Sequence, residues 1–168
     1  MKKISIISTI LVIIDQVVKI IIDKSLPLNK SVEIINHFFS LTYVRNDGAA
    51  FSILSGNIFF LIIIALFALY IIYKYFIKGK ELTNINIIIY TLIISGIIGN
   101  LIDRIIRGYV IDYFDFTIFK YHFAIFNIAD IYIVIGCILL ILYTLKEEHY
   151  GYNCHKRKWR KKNRLFFS

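Results

Sequence analysis

Residues 85–106 read INIIIYTLIISGIIGNLIDRII: isoleucine and leucine dominate, and Gly99, Asn100, Asp103 and Arg104 crowd together at the far end. A helix needs about 20 predominantly apolar residues to cross the hydrocarbon of a bilayer. The run therefore predicts a membrane-spanning helix with its polar residues gathered at one end. Asn100, Asp103 and Arg104 are related as i, i+3 and i+4, so they share one face. Ionisable groups inside a span are costly unless paired or hydrated. That face must meet polar partners, and the rest of the chain should supply them.

Similar runs at 4–22, 58–77 and 125–145 bring the expected number of spans to four. In a chain of 168 residues, 58% of them hydrophobic and with one Pro, four spans take up about half the length. A larger external segment, 23–57, a smaller one, 107–123, and a tail remain, which excludes a large soluble catalytic domain. The expected fold is an all-α polytopic membrane protein of four transmembrane helices, one domain over 1–148 with a basic tail over 149–168. Within 31–45, Val32, Ile34, Phe38, Leu41 and Tyr43 alternate in part with polar residues, so a small sheet lying on the membrane is expected. Phe38, Phe39, Tyr43, Phe114 and Phe116 are assigned to an interfacial aromatic belt.

The formal net charge is +9, and its distribution sets the orientation. Lys2, Lys3, Lys74, Lys78, Lys80, Lys146 and the tail cations fall on one side of the spans, against Lys24, Lys30, Arg45, Arg107 and Lys120 on the other. Lys and Arg accumulate on the cytoplasmic side, so N-in, C-in is expected, with the sheet outside. The tail then lies beside the anionic inner leaflet. The first run follows Lys2 and Lys3 as a secretory signal would, but Asp15, Gln16 and Lys19 and the lack of an A-x-A site favour a retained span.

In this orientation three helices present their polar groups at one depth, near the outer interface. Helix one carries Asp15 and Lys19 a turn apart, helix three carries Asn100, Asp103 and Arg104, and helix four opens with Asn127 and Asp130. Scattered depths would favour a proton relay or plain helix–helix bonding; a common level predicts one shared pocket. Asp15 beside Lys19, and Asp103 beside Arg104, read as compensated charges. Asp112 and Asp130 have no cation in the local pattern. Two such carboxylates held close would share one proton, one acting as base and the other as acid, which is how water is activated against an amide. Asp115 competes for that role. The rival class is a small proton-coupled transporter with Asp15, Lys19, Asp103 and Arg104 along its path. A membrane scaffold with a basic tail leaves the cluster unexplained. There is no G-x-S-x-G, H-E-x-x-H or P-loop. His149, Cys154 and His155 are too few to make a metal site, and mid-span Cys137 cannot reach Cys154. No metal or organic cofactor is expected.

Asp15-Gln16-Val17-Val18-Lys19, Asn46-Asp47-Gly48-Ala49-Ala50-Phe51, Gly99-Asn100-Leu101-Ile102-Asp103-Arg104, Val110-Ile111-Asp112-Tyr113 and Phe126-Asn127-Ile128-Ala129-Asp130 together resemble the motif set of the bacterial lipoprotein signal peptidase (signal peptidase II) family. The motifs stand in family order over about residues 15–136. The resemblance implies an intramembrane aspartic endopeptidase that removes signal peptides from prolipoproteins, cutting before the diacylglyceryl-modified Cys. It implies Asp112 and Asp130 as the catalytic pair and Asp15, Lys19, Asn46, Asn100, Arg104 and Asn127 lining the substrate site. Gly48 would let backbone approach the substrate, and Asp103 would support the site. The resemblance also implies a small β-cradle and a short helix over the site, in the bacterial cytoplasmic (inner) membrane. Expected partners are diacylglyceryl-modified prolipoproteins, membrane lipids and globomycin-type inhibitors, with no nucleic acid, and the protein is expected to act as a monomer. Departures are mild: Ser95 and Ile97 stand where small residues are usual, Tyr113 for a common Phe, Ala124 for Pro and Ile131 for Ser.

Overall fold

A computed structural model describes residues 1–48, 54–119 and 121–164, excepting the side chains of His122 and 148–164. Helix α1 spans Lys2–Ser25, α2 Ile58–Ile71 with a wider π turn over Ile72–Ile77, α3 Asn84–Arg107 and α4 Ile128–Arg164. Strands β1 (Ser31–Ile35) and β2 (Phe39–Asn46) follow α1, and β3 (Val110–Ile118) and β4 (Tyr121–His122) follow α3. The segments Lys2–Ser25, Ile58–Ile77, Asn84–Arg107 and Ile128–Glu147 are each long and apolar enough to cross a membrane. They match the four expected runs, except that the fourth helix begins three residues late, for a reason that lies in its cap. Its helical backbone also runs on to Arg164, through the stretch read as a solvated tail.

Helix α3 is the hub, packing most extensively on α4 and next on α1. Glycine permits the closest of these contacts: a Cβ at Gly96 would lie 2.3 Å from the Ala129 carbonyl oxygen, and one at Gly136 2.5 Å from Ile93 Cγ1. Membrane helices gain from such backbone approach because lipid offers them no hydrophobic incentive to associate. Thr83 opens α3, its hydroxyl accepting the Asn86 N–H at 3.3 Å. One apolar cluster, Ile4, Ile77, Ile89, Tyr90 and Ile93, fills the end of the bundle away from the sheet. A second, Ile22, Tyr43, Ile111 and Tyr113, joins the sheet to the end of α1.

The sheet is antiparallel in the order β1-β2-β3-β4, the last strand having only two residues. Strands β1 and β2 occupy the stretch expected to form strands. Strand β3 is an addition to the expected elements, because VIDYFDFTI lacks the alternation of a half-exposed strand. Both of its faces are covered: Ile111 and Tyr113 pack toward α1, while Phe114 meets the Phe126 ring. The expected aromatic belt needs correction for the same reason. Tyr43 is buried, and Phe39, Phe114 and Phe116 are partly buried in a ring cluster with Phe126; Phe38 alone of the five is exposed. Phe119 and Tyr121, at 91% and 80% exposure, are the aromatics displayed at the β3–β4 turn. Ala49, Ala50 and Phe51, from the motif after Asn46, lie outside the described residues.

Candidate active site

The start of α4 organises the site. Asn127 Oδ1 accepts the Asp130 N–H at 3.1 Å, and Asp130 Oδ2 accepts the Asn127 N–H at 3.1 Å. This is a reciprocal capping box, with Asp in the place of the usual Glu or Gln, and it explains why α4 begins at Ile128. The other two leading amides also find side chains. Ile128 N–H donates to the Tyr113 hydroxyl at 3.2 Å, and Ala129 N–H to Asp15 Oδ1 at 3.1 Å. A helix leaves its first amides without partners, and here α1, β3 and the cap residue supply one each. Asp130 is thus fixed at the positive end of the helix dipole.

Asp112 reaches the same place from β3. Its Oδ1 accepts from Asn127 Nδ2 at 2.6 Å and its Oδ2 from Asn46 Nδ2 at 2.8 Å. Asn46 is oriented by a local turn in which its Oδ1 accepts the Gly48 N–H at 2.9 Å. Asp130 Oδ1 accepts from Asn100 Nδ2 at 2.7 Å. Every oxygen of the two aspartates therefore receives an N–H donor. Burial, reinforced by the neighbouring Asp130 carboxylate, pushes Asp112 up to about 7, against the opposing effect of the Asn46 and Asn127 donors. Asp115, three positions along the strand, points from the opposite face and accepts from the Thr42 hydroxyl at 2.7 Å. Strand parity thus separates it from the pair.

Asp112, Asp130, Asn46, Asn100 and Arg104 line one cavity of about 490 Å³, whose apolar walls include Phe123, Phe126, Ile131, Val134 and Ile135. Arg104 Nη2 donates to the Gly48 carbonyl at 3.0 Å. Gly48 itself therefore contributes backbone groups that hold Asn46 and Arg104. Among the described residues no three His, Cys, Asp or Glu side chains converge as metal ligands would; the side chains of His149, Cys154 and His155 lie outside them.

Asp15 and Lys19 do not form the cavity wall. They are fully buried beneath it, where Lys19 Nζ lies 2.9 Å from Asp15 Oδ2 and 2.8 Å from Asp103 Oδ2. Asp103 pairs with Lys19 and Arg107 rather than with Arg104, since sequence neighbours on a helix diverge by about 100°. Gln16 completes the layer, donating to Asp103 Oδ1 at 3.0 Å and to the Gly99 carbonyl at 3.1 Å and accepting from Arg107 Nη1 at 3.2 Å. Gln16, Arg107 and the Tyr113 hydroxyl were not among the candidates. The i, i+4 spacing of Asp103 and Arg107 could have found the second of them; the Tyr113 contact depends on the tertiary fold.

A family model described as signal peptidase (SPase) II matches residues 7–146. The lipoprotein signal peptidase of Fusobacterium nucleatum subsp. nucleatum is 44% identical over 150 residues, covering 88% of this chain and 86% of its own length. That of Staphylococcus aureus (strain JH9) is 43% identical over 141 residues, covering 84% and 86%. A solved structure described as a bacterial membrane enzyme at 2.3 Å resolution superposes with a TM-score of 0.81 at 40% identity, covering 88% of this chain and 90% of that one. A second, at 1.9 Å, gives 0.77 at 40% identity, covering 87% and 94%. With its four membrane-competent helices, the molecule is a multi-pass membrane protein. Because the likeness runs from the first span to the end of the fourth, through every residue that holds the two cavity aspartates, the chain belongs to the signal peptidase II family.

Proposed function

We propose that this protein is an intramembrane aspartic endopeptidase that removes signal peptides from lipid-modified prolipoproteins, cutting before the diacylglyceryl-Cys. One observation carries the reading: Asp112 and Asp130, one from a strand and the other from the helix that follows it, line one cavity with all four oxygens supplied with donors. Asp112, raised to about 7, is the acid. Asp130, bonded by the Asn127 N–H and Asn100 at the helix terminus, is the base. It takes a proton from water, and the hydroxide attacks the scissile carbonyl. Asp112 stabilises the developing oxyanion by donating to it, and the leaving amine is then protonated. Arg104 Nε, buried and without an acceptor among the described residues, is available to a substrate carbonyl.

The distribution of Lys and Arg supports an N-in, C-in protein of the bacterial inner membrane, with the site near the outer leaflet. A substrate tethered by its acyl chains can then arrive sideways along Val134 and Ile135. A transport path would need charged groups in the other half of the bundle as well. Among the described residues the buried polar groups there are hydroxyls, of which Ser8 and Ser95 donate to the Thr91 carbonyl. The protease is proposed to reside in 1–148, so removing the tail after Glu148 should preserve activity, and a globomycin-type cyclic peptide should block it. The deciding experiment is cleavage of a lipidated prolipoprotein by the purified protein, wild type beside Asp112→Asn and Asp130→Asn. Wild-type turnover by either variant would overturn the aspartic mechanism.

A further inference from the structure

We propose that Lys19 is a positioning residue that acts through Asn100, fixing the hydrogen-bond donor that Asp130 receives. This deepens the aspartic-protease reading and rests on it. A primary amide can present either end. Asn100 Oδ1 accepts from Lys19 Nζ at 2.9 Å and from Asn127 Nδ2 at 3.2 Å, which leaves Nδ2 to donate to Asp130 Oδ1 at 2.7 Å. The flipped amide would set its NH2 against two donors and its oxygen against a carboxylate, so all three contacts would turn unfavourable.

The other two site asparagines are oriented by backbone amides, Asn46 by Gly48 and Asn127 by Asp130. Asn100 Oδ1 instead accepts from a cationic side chain, and that side chain comes from another helix. The ammonium is fully buried. It faces Asp15 on its own helix and Asp103 on α3, with Gln16 and Arg107 closing the layer. Arg104, Asp112 and Asp130 lie on the cavity side. A buried ion pair is a poor way to join two helices, because apolar packing of the same volume is often as stable or more so. At the opposite end of the bundle Ile4, Ile89 and Ile93 belong to one apolar cluster that does this. The charged layer sits directly under Asn100, where an oriented donor is needed.

The test is a double-mutant cycle on purified, lipid-reconstituted protein with a lipidated prolipoprotein substrate: Lys19→Met, Asn100→Ala and the pair. Lys19→Met should lower kcat about 10- to 100-fold, the range expected of a misplaced catalytic group, with KM near wild type. In the Asn100→Ala background the same substitution should cost no further kcat. The alkaline limb of the kcat–pH profile should move to higher pH in Lys19→Met, since the Lys19 charge favours ionised Asp112. Loss of folded protein would scale the profile without moving it. Multiplying effects in the double variant, or an unmoved limb, would overturn the proposal. If Lys19→Met does not fold, Lys19→Met/Asp103→Asn is compared with Asp103→Asn, with and without Asn100→Ala, and the same outcomes decide. Cleavage surviving Asp112→Asn or Asp130→Asn would instead remove the protease reading itself. Dependence on both aspartates with multiplying Lys19 and Asn100 effects would remove only this inference.

Discussion

Helices α2 and α3 have similar mean hydropathy, 2.4 and 2.1 over their most apolar windows, yet 50% of the α3 window is buried within the protein and 6% of the α2 window. Lipid tails are as apolar as leucine, so apolarity does not draw a helix into the interior of a membrane protein. Small and polar residues do. Helix α2, IFFLIIIALFALYI, has no polar side chain except that of Tyr70, which is exposed, and none of the described residues lining the aspartate cavity belongs to it. Helix α3 carries Ser95, Gly96, Gly99, Asn100 and Asp103, all buried, and every other span packs on it.

Substitutions can break this contrast at several strengths. The largest effect is expected from Asp112→Asn or Asp130→Asn, which should cut the rate of prolipoprotein cleavage by about 10⁴-fold while leaving the protein folded. Next come Gly96→Leu and Gly136→Leu, which overfill the α3–α4 contact and should destabilise the protein by about 3 kcal/mol in detergent unfolding. The proton on Asp112 is tested by pH. Cleavage should decline as pH rises through about 7, where Asp112 loses its proton, by about tenfold per unit beyond. The linked stability has the sign of a carboxyl that binds its proton more tightly when folded. It is fully present below the ordinary value of 3.8 and is lost as pH rises toward about 7. Asn127→Ala removes the α4 cap and should cost about 1 kcal/mol of stability. Phe67→Leu on α2, at a ring 62% exposed, should shift stability by less than about 0.5 kcal/mol and leave cleavage unaltered; a large loss there would refute the contrast.

The spans were legible because hydropathy and length suffice to find them, and the polar level was legible because helix spacing puts Asn100 with Asp103 and Asn127 with Asp130. The Asp15–Lys19 contact was readable for the same reason, being one turn long. Lys19–Asp103 was not, since it crosses between helices whose register depends on close packing. Strand β3 escaped because burial on both faces erases the alternation that marks a strand. The charge distribution places Arg107 among the outer cations, although its spacing from Asp103 is that of a pair. In the sequence Tyr113 stands out only as a departure from Phe. Its hydroxyl accepts the first amide of α4, so the departure brings a bond that Phe could not make.

Val134 and Ile135 both line the cavity and remain 55% and 45% exposed on the flank of α4, so the cavity wall continues onto the lipid-facing surface. For a reactant arriving along that flank, the concentration that matters is molecules per lipid rather than molecules per litre. Added detergent at constant bulk substrate should therefore slow the reaction by surface dilution alone. Ligands for this cavity should likewise rank by how strongly they partition into the bilayer, as well as by how well they fit.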